Sequence, residues 1–276
     1  MLSQPEDIMR STFRHLALAA VVTCAGTIPA FAGNAWDEIR GSVFGDKKIE
    51  DGRGLITLGA PGRPEDMRVV PITIVAAFKD GRTIKTVNFI LDENPTPVVA
   101  VFHMGAGRES VALQANFRVD RQGDVRAVVE ASDGQLYMIS QLIKFAGGQA
   151  SCSAPPTGDP AEIAANMGKM QFAETKVADA ATAALGRVKI DLNHPNHTGM
   201  VMDQQTLLYT PMKMVNEITV RQGDDVVFAA EGSIALSQNP SISFDFKRGG
   251  SQDFEVTMKD TDGGVWTRKF QVSPQS

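Results

Sequence analysis

Along most of this chain, apolar and polar residues alternate in short runs broken by turns, and no other feature limits its fold so closely. Val111, Leu113, Ala115, Phe117 and Val119 alternate with Ala112, Gln114, Asn116, Arg118 and Asp120. A period of two sends successive side chains to opposite faces, as in a half-buried strand. Val125, Ala127 and Val129 begin the next run, and Arg121-Gln122-Gly123-Asp124 between the two reads as a hairpin turn. Val69 to Phe78 and Thr83 to Leu91 flank Asp80-Gly81, Val98 to Phe102 follows two prolines, and Leu136 to Phe145 follows Asp133-Gly134. Short strands with a turn about every ten residues predict a β-sandwich. This half opens differently. Trp36, Ile39, Val43 and Phe44 fall at helical spacing, which predicts a short amphipathic helix ending at Gly45.

The second half repeats the style. Met214 to Arg221 and Asp225 to Ala230 flank Gln222-Gly223-Asp224. Phe254, Val256 and Met258 alternate with Glu255, Thr257 and Lys259, and Asp262-Gly263-Gly264 turns into Val265 to Val272. Arg-Gln-Gly-Asp stands between strands in both halves, which fits two sandwiches of similar design. Ser151 to Pro160, rich in Pro, Ser, Ala and Gly, has linker composition. Asp159-Pro160-Ala161-Glu162 supplies an N-cap acid, proline at the first helical position and an acid in the first turn, predicting a short helix to about Asn166. Met167 to Glu174 reads as a strand opening the second domain, and Lys176 to Leu185 is Ala-rich with no clear pattern. The expected fold is all-β: two sandwich domains in tandem, with a short N-terminal helix and a linker helix.

The first 32 residues predict export. Met9 to His15 is short and basic, Leu16 to Thr23 is apolar, and Ala30-Phe31-Ala32 offers small residues to a signal peptidase. Cleavage is expected after Ala32, and Met9 competes with Met1 as the start because Glu6 and Asp7 offset the basic end. The apolar run is shorter than the ~20 residues a membrane helix needs. Val21-Val22-Thr23 makes a poor lipobox for Cys24. Residues 1–32 hold two basic and two acidic residues, so the formal charge stays at −5 after their removal. A mildly acidic chain lacks the electrostatic footprint for nucleic acid or anionic lipid. No segment after residue 32 is apolar enough to cross a membrane.

If Cys24 leaves with the signal, Cys152 is the only thiol remaining, in an oxidising compartment and with no partner in its own chain. It lies in Gly147-Gly148-Gln149-Ala150-Ser151-Cys152-Ser153-Ala154-Pro155-Pro156, where glycine frees the backbone and would let the thiol swing. The residues alone leave two readings open, a functional thiol and an incidental loop cysteine. His194-Pro195-Asn196-His197 could chelate a metal if the backbone turns, with His103 and Asp191 joining if the fold brings them close, or it is a simple turn. Met200, Met202, Met212 and Met214 form two M-x-M pairs that suit copper or, in strands, the core. No Ser-His-Asp order, phosphate-binding glycine loop or HExxH appears, so neither catalysis nor a cofactor is expected.

The second half resembles SoxZ, one subunit of the SoxYZ sulfur carrier, through Val188-Lys189-Ile190, His194-Pro195, Thr198-Gly199, Phe228, Ser237-Gln238-Asn239-Pro240, Phe244-Asp245-Phe246 and Asp260-Thr261-Asp262-Gly263. The first half resembles SoxY through Trp36 to Gly45, Ala60-Pro61, Glu65-Asp66 and Val69-Val70-Pro71-Ile72. In this order on one chain they resemble the fused SoxYZ-like carriers associated with quinoprotein dehydrogenases. The resemblance implies immunoglobulin-like sandwiches over residues 33–148 and 184–276, a joining segment over 149–183, and a periplasmic location. It implies that Cys152 is the carrier thiol, with Gly147, Gly148, Ser151 and Ser153 forming its arm. The partners implied are periplasmic enzymes of sulfur oxidation or of a quinoprotein dehydrogenase system, and the His-Pro is implied to be a structural turn. The chain departs from SoxY in two ways: no glycine follows the cysteine, and the arm runs on into a second domain instead of ending freely.

Overall fold

The computed structural model describes residues 35–145, 147, 150–175 and 184–273. The expected signal segment with Cys24, most of the Ala-rich stretch and Gly148 lie outside them. A helix, α1 (Ala35–Phe44), precedes eight strands: β1 (Ile49–Asp51), β2 (Ile56–Gly59), β3 (Val70–Ala77), β4 (Ile84–Leu91), β5 (Val98–Met104), β6 (Ser110–Phe117), β7 (Gly123–Ala131) and β8 (Leu136–Ile143). A 3-10 turn at Ser151–Ser153 and a helix, α2 (Pro160–Asn166), follow. Seven strands complete the chain: β9 (Met170–Thr175), β10 (Leu185–Leu192), β11 (Val215–Gln222), β12 (Asp225–Gly232), β13 (Ser241–Lys247), β14 (Asp253–Asp260) and β15 (Val265–Gln271). The fold is thus all-β, as the alternation requires, with α1 where the helical spacing puts it and α2 where its capping residues do. Asp159 caps α2 by accepting from the N–H groups of Ala161 (2.7 Å) and Glu162 (3.2 Å).

Both sheets run through both halves of the chain. One has the order β1-β8-β7-β4-β5-β12-β11-β14-β15 and the other β2-β3-β6-β13-β10-β9. The halves meet where β5 pairs antiparallel with β12 and β6 with β13, with Ala230 opposite Phe102 and Ile242 opposite Ala115. One apolar core therefore spans the junction, with Phe228 of β12 packed against Phe102 of β5 and Phe244 of β13, both at 5.2 Å between centroids. Edge-on aromatic packing of this kind adds to the area each ring buries. A second, smaller cluster seats α1 on the outer face of the longer sheet, where Trp36 and Ile39 meet Ile90, Val128 and Leu136. Arg126, clamped by buried Asp92 at 2.7 Å, lies 4.5 Å from the Trp36 ring.

The two Arg-Gln-Gly-Asp segments adopt different structures. In the second half Gly223 has φ +58° and β11 pairs with β12 across a true hairpin. In the first half the expected hairpin does not form: β6 pairs with β3 and β13, while β7 pairs with β4 and β8, so the segment carries the chain from one sheet to the other. Gly123 has no positive φ. A side chain there would collide with Glu93, with the Glu93 Cγ only 2.5 Å from the added Cβ. Asn94 next to it holds the approach to the crossing by donating to the Arg118 carbonyl (2.7 Å) and accepting from the Asp120 N–H (2.9 Å). The same tetrapeptide serves as a turn in one half and as a crossing in the other.

Candidate functional site

Cys152 is fully buried, in the 3-10 turn that follows the first half of the chain. The turn is closed by Ser153 N–H to the Ala150 carbonyl at 3.1 Å, and Gly147 before it takes φ +96°, a conformation that suits glycine. One residue from each half grips the cysteine backbone. Its N–H donates to Asp120 Oδ1 at 2.9 Å, and its carbonyl accepts from Thr198 Oγ1 at 2.6 Å. Beyond the turn, Thr157 and Gln238 form a two-point latch, with the Thr157 N–H donating to Gln238 Oε1 and Gln238 Nε2 donating to the Thr157 carbonyl, both at 2.8 Å. The segment that the glycines suggested would swing is instead fastened into a seat, because the cysteine backbone and the residues after it find partners in both halves of the chain.

Burial raises the Cys152 thiol from its ordinary value to about 12, aided by the charge of Asp120 and a hydrogen bond to it, while Arg118 and Ser151 oppose the rise. Since only the thiolate is a nucleophile, roughly one molecule in 100,000 would be reactive in the seat at neutral pH. Ser151 is fully buried beside it, whereas Ser153 is only partly covered.

Arg118 and Asp120, on the polar phase of the β6 alternation, are both 4% exposed. Both follow the end of β6, where Arg118 N–H bonds the Ala235 carbonyl at 2.7 Å and pulls the chain in against the second half. Arg118 Nη1 donates to the carbonyls of Ile234 and Leu236. Among the described residues it has no carboxylate partner, and desolvation lowers its guanidinium to about 10 despite the nearby cysteine. These two residues carry the chemistry of the seat, and periodicity had no means to mark them. The signal available was a pair of charges continuing an alternation into a segment that must cross between sheets.

The histidines go separate ways. His194 is buried, with Nε2 3.3 Å from Asp260 Oδ2 and Nδ1 accepting from the Asn196 N–H at 3.0 Å, so both ring nitrogens are engaged in the fold. Burial depresses its pKa, and that of His197 as well. His103 pairs with Glu231 at 3.0 Å, and Asp191 with Lys189 at 2.9 Å. Among the described residues no three His, Cys, Asp or Glu side chains converge to hold a metal. Of the two readings of His194 to His197, the backbone has the geometry of the turn, with Asn196 at φ +49° supplying the bend. The four methionines are not core residues of strands. They occupy the loop between β10 and β11, where Met202 and Met212 are exposed.

Comparison with known families assigns the two halves. Residues 40–149 match the sulfur oxidation protein SoxY, and residues 175–271 match the sulphur oxidation protein SoxZ. The chain belongs to the SoxYZ sulfur-carrier family, with both domains on one polypeptide. Cys152 lies between the two matched segments. The sulfur carrier protein SoxY from Chlorobium limicola f thiosulfatophilum is similar at 23% identity, over 40% of this chain and 96% of that one, with a TM-score of 0.32. A superoxide reductase (neelaredoxin) from Ignicoccus hospitalis is similar at 15% identity, over 33% of this chain and 80% of that one, with a TM-score of 0.25. Among curated proteins none matches.

Proposed function

We propose that this protein is a periplasmic carrier that presents a sulfur intermediate, covalently bound to Cys152, to partner enzymes of sulfur oxidation. The observation that carries the reading is the grip on the Cys152 backbone by Asp120 of the SoxY half and Thr198 of the SoxZ half. A cysteine with an incidental place in a linker has no reason to be clasped by both domains beside a buried arginine. In the seat the thiol is protonated and shielded from oxidants. A partner that draws the segment out returns the thiol towards its ordinary value of 9.0 and so arms it. Gly147 gives the arm its pivot, Ser151 and Ser153 flank the thiol, and the second domain limits the arm's reach. The basic, apolar and A-x-A sequence of residues 9–32 supports export with cleavage after Ala32.

Intact mass spectrometry of protein taken from the periplasm, before and after reductant, tests this. The expected species begins at Gly33 and carries a reducible adduct on Cys152, and Cys152→Ser abolishes sulfur transfer. A thiol that is unmodified in cells and inert to every reagent ends the carrier reading. Its complete burial favours one other reading, a non-covalent accessory module of a quinoprotein dehydrogenase system, in which Cys152→Ser is silent.

A further inference from the structure

Beside the Cys152 seat lies a small cavity of about 110 Å³, lined by Asp66, Arg68, Arg118, Ala154, Thr157 and Asn239 among others. A liquid water takes ~30 Å³, so the space holds a few waters or one small oxyanion. Arg118 forms part of its wall. One guanidinium nitrogen is spent on the Ile234 and Leu236 carbonyls. The other N–H groups have no protein partner among the described residues, and they are not among the sealed, unsatisfied atoms. Arg118 is 96% buried, and this cavity is a space that it lines. The second arginine, Arg68, is half-exposed and grips Asp66 in a bidentate pair at 2.8–3.2 Å, so the lining carries one net positive charge. A buried guanidinium without a carboxylate is costly unless an anion visits it.

We propose that Arg118 and this cavity form an anion subsite that receives the oxyanion end, such as a sulfonate, of the group carried on Cys152. The proposal rests on the carrier reading and adds where the cargo is held. The charges around the seat separate two states. A neutral thiol is accommodated next to the Asp120 carboxylate, whose oxygen also anchors the cysteine N–H. An anionic adduct at the same place is repelled by Asp120 and drawn to Arg118, whose guanidinium is within electrostatic reach of the cysteine sulfur. The alanine two residues beyond the cysteine already lines the cavity, so a local turn of the segment delivers the group. Loading then moves the side chain from a carboxylate to a guanidinium.

The test uses two thiol reagents of equal leaving group, sulfonatoethyl and hydroxyethyl methanethiosulfonate. In each, the Cys152 thiolate attacks the sulfenyl sulfur, an S–S bond forms, and the bond to the sulfonyl group breaks. Methanesulfinate leaves with the electron pair, and the thiol proton goes to solvent. The two adducts differ in one charge. The anionic adduct should be reduced by a neutral dithiol about tenfold more slowly than the neutral adduct, relative to the same pair on a free peptide thiol. Arg118→Gln should erase the difference. Arg68→Gln, which leaves the Arg118 carbonyl bonds intact, should reduce it and serves if Arg118→Gln fails to fold. Equal reduction of the two adducts on the wild-type protein overturns the subsite while leaving the carrier reading standing. If neither reagent labels Cys152 even in the alkaline range, the carrier reading falls and the subsite with it.

Discussion

The Cys152 N–H donates to Asp120 Oδ1 at 2.9 Å, so the residue that anchors the cysteine backbone also sets a negative charge beside its sulfur. Burial keeps the thiol protonated, and the carboxylate that holds the cysteine in place adds to that. The carbonyl of the same cysteine depends on Thr198 in the other half.

Thr198→Val removes that second hold and leaves the Cys152 carbonyl buried without a donor. A net hydrogen bond of about 1 kcal/mol, lost from the seated state only, shifts the opening equilibrium roughly fivefold to tenfold. Alkylation of Cys152 by a neutral maleimide in native buffer should accelerate by that factor, with global stability little changed. An unchanged rate would mean that the hydroxyl does not restrain the segment.

Alkali should open the seat. The folded thiol stands near 12, above the ordinary value of 9.0, so its protonated form contributes stability that is complete below about pH 9 and is lost as pH rises towards 12. Three pH units correspond to at most about 4 kcal/mol. Thermal melting should therefore decline with pH in this window more steeply for the wild type than for Cys152→Ser. Parallel curves would count against a buried thiol.

Acid should act through His194. Burial holds its imidazole neutral, lowering its pKa, while Asp260 opposes the shift and Lys213 and His197 add to it. The unfolded chain binds the proton more readily, so stability falls as pH drops below about 6.5. His194→Gln, less stable at neutral pH because Asp260 loses its imidazole contact, should show a shallower decline as pH falls below about 6.5 in urea melts.

Phe228→Ala should cost about 3–5 kcal/mol, because the ring fills the junction between Phe102 and Phe244. A single unfolding transition should persist, shifted as a whole. Two transitions would show that the halves unfold separately.

The strands were legible because their residues keep period two and their turns carry Gly with Asp, and α2 because Asp159 and Pro160 mark its start. Pairing was not. Arg121 to Asp124 has hairpin composition, yet Glu93 and Asn94, distant in the pattern, make it a crossing. The prominence of Cys152 followed from its being alone, but its burial did not, since Ser, Ala and Pro beside it suit a loop or a seat equally. What decides is the far side of the contact: Asp120 and Thr198 lie 32 and 46 residues away, and no local rule joins them. Arg118 reads as one more polar position on a strand until the second half of the chain covers it.

The continuity of the two sheets across β5–β12 and β6–β13 has a consequence for abundance. Two separately made subunits hold together only above their dissociation constant, and a scarce or excess partner is left with unpaired strand edges. Written into one polypeptide, the partners are produced one to one, and their encounter becomes intramolecular at an effective concentration that dilution cannot lower. The carrier keeps its composition in however few copies the cell makes it.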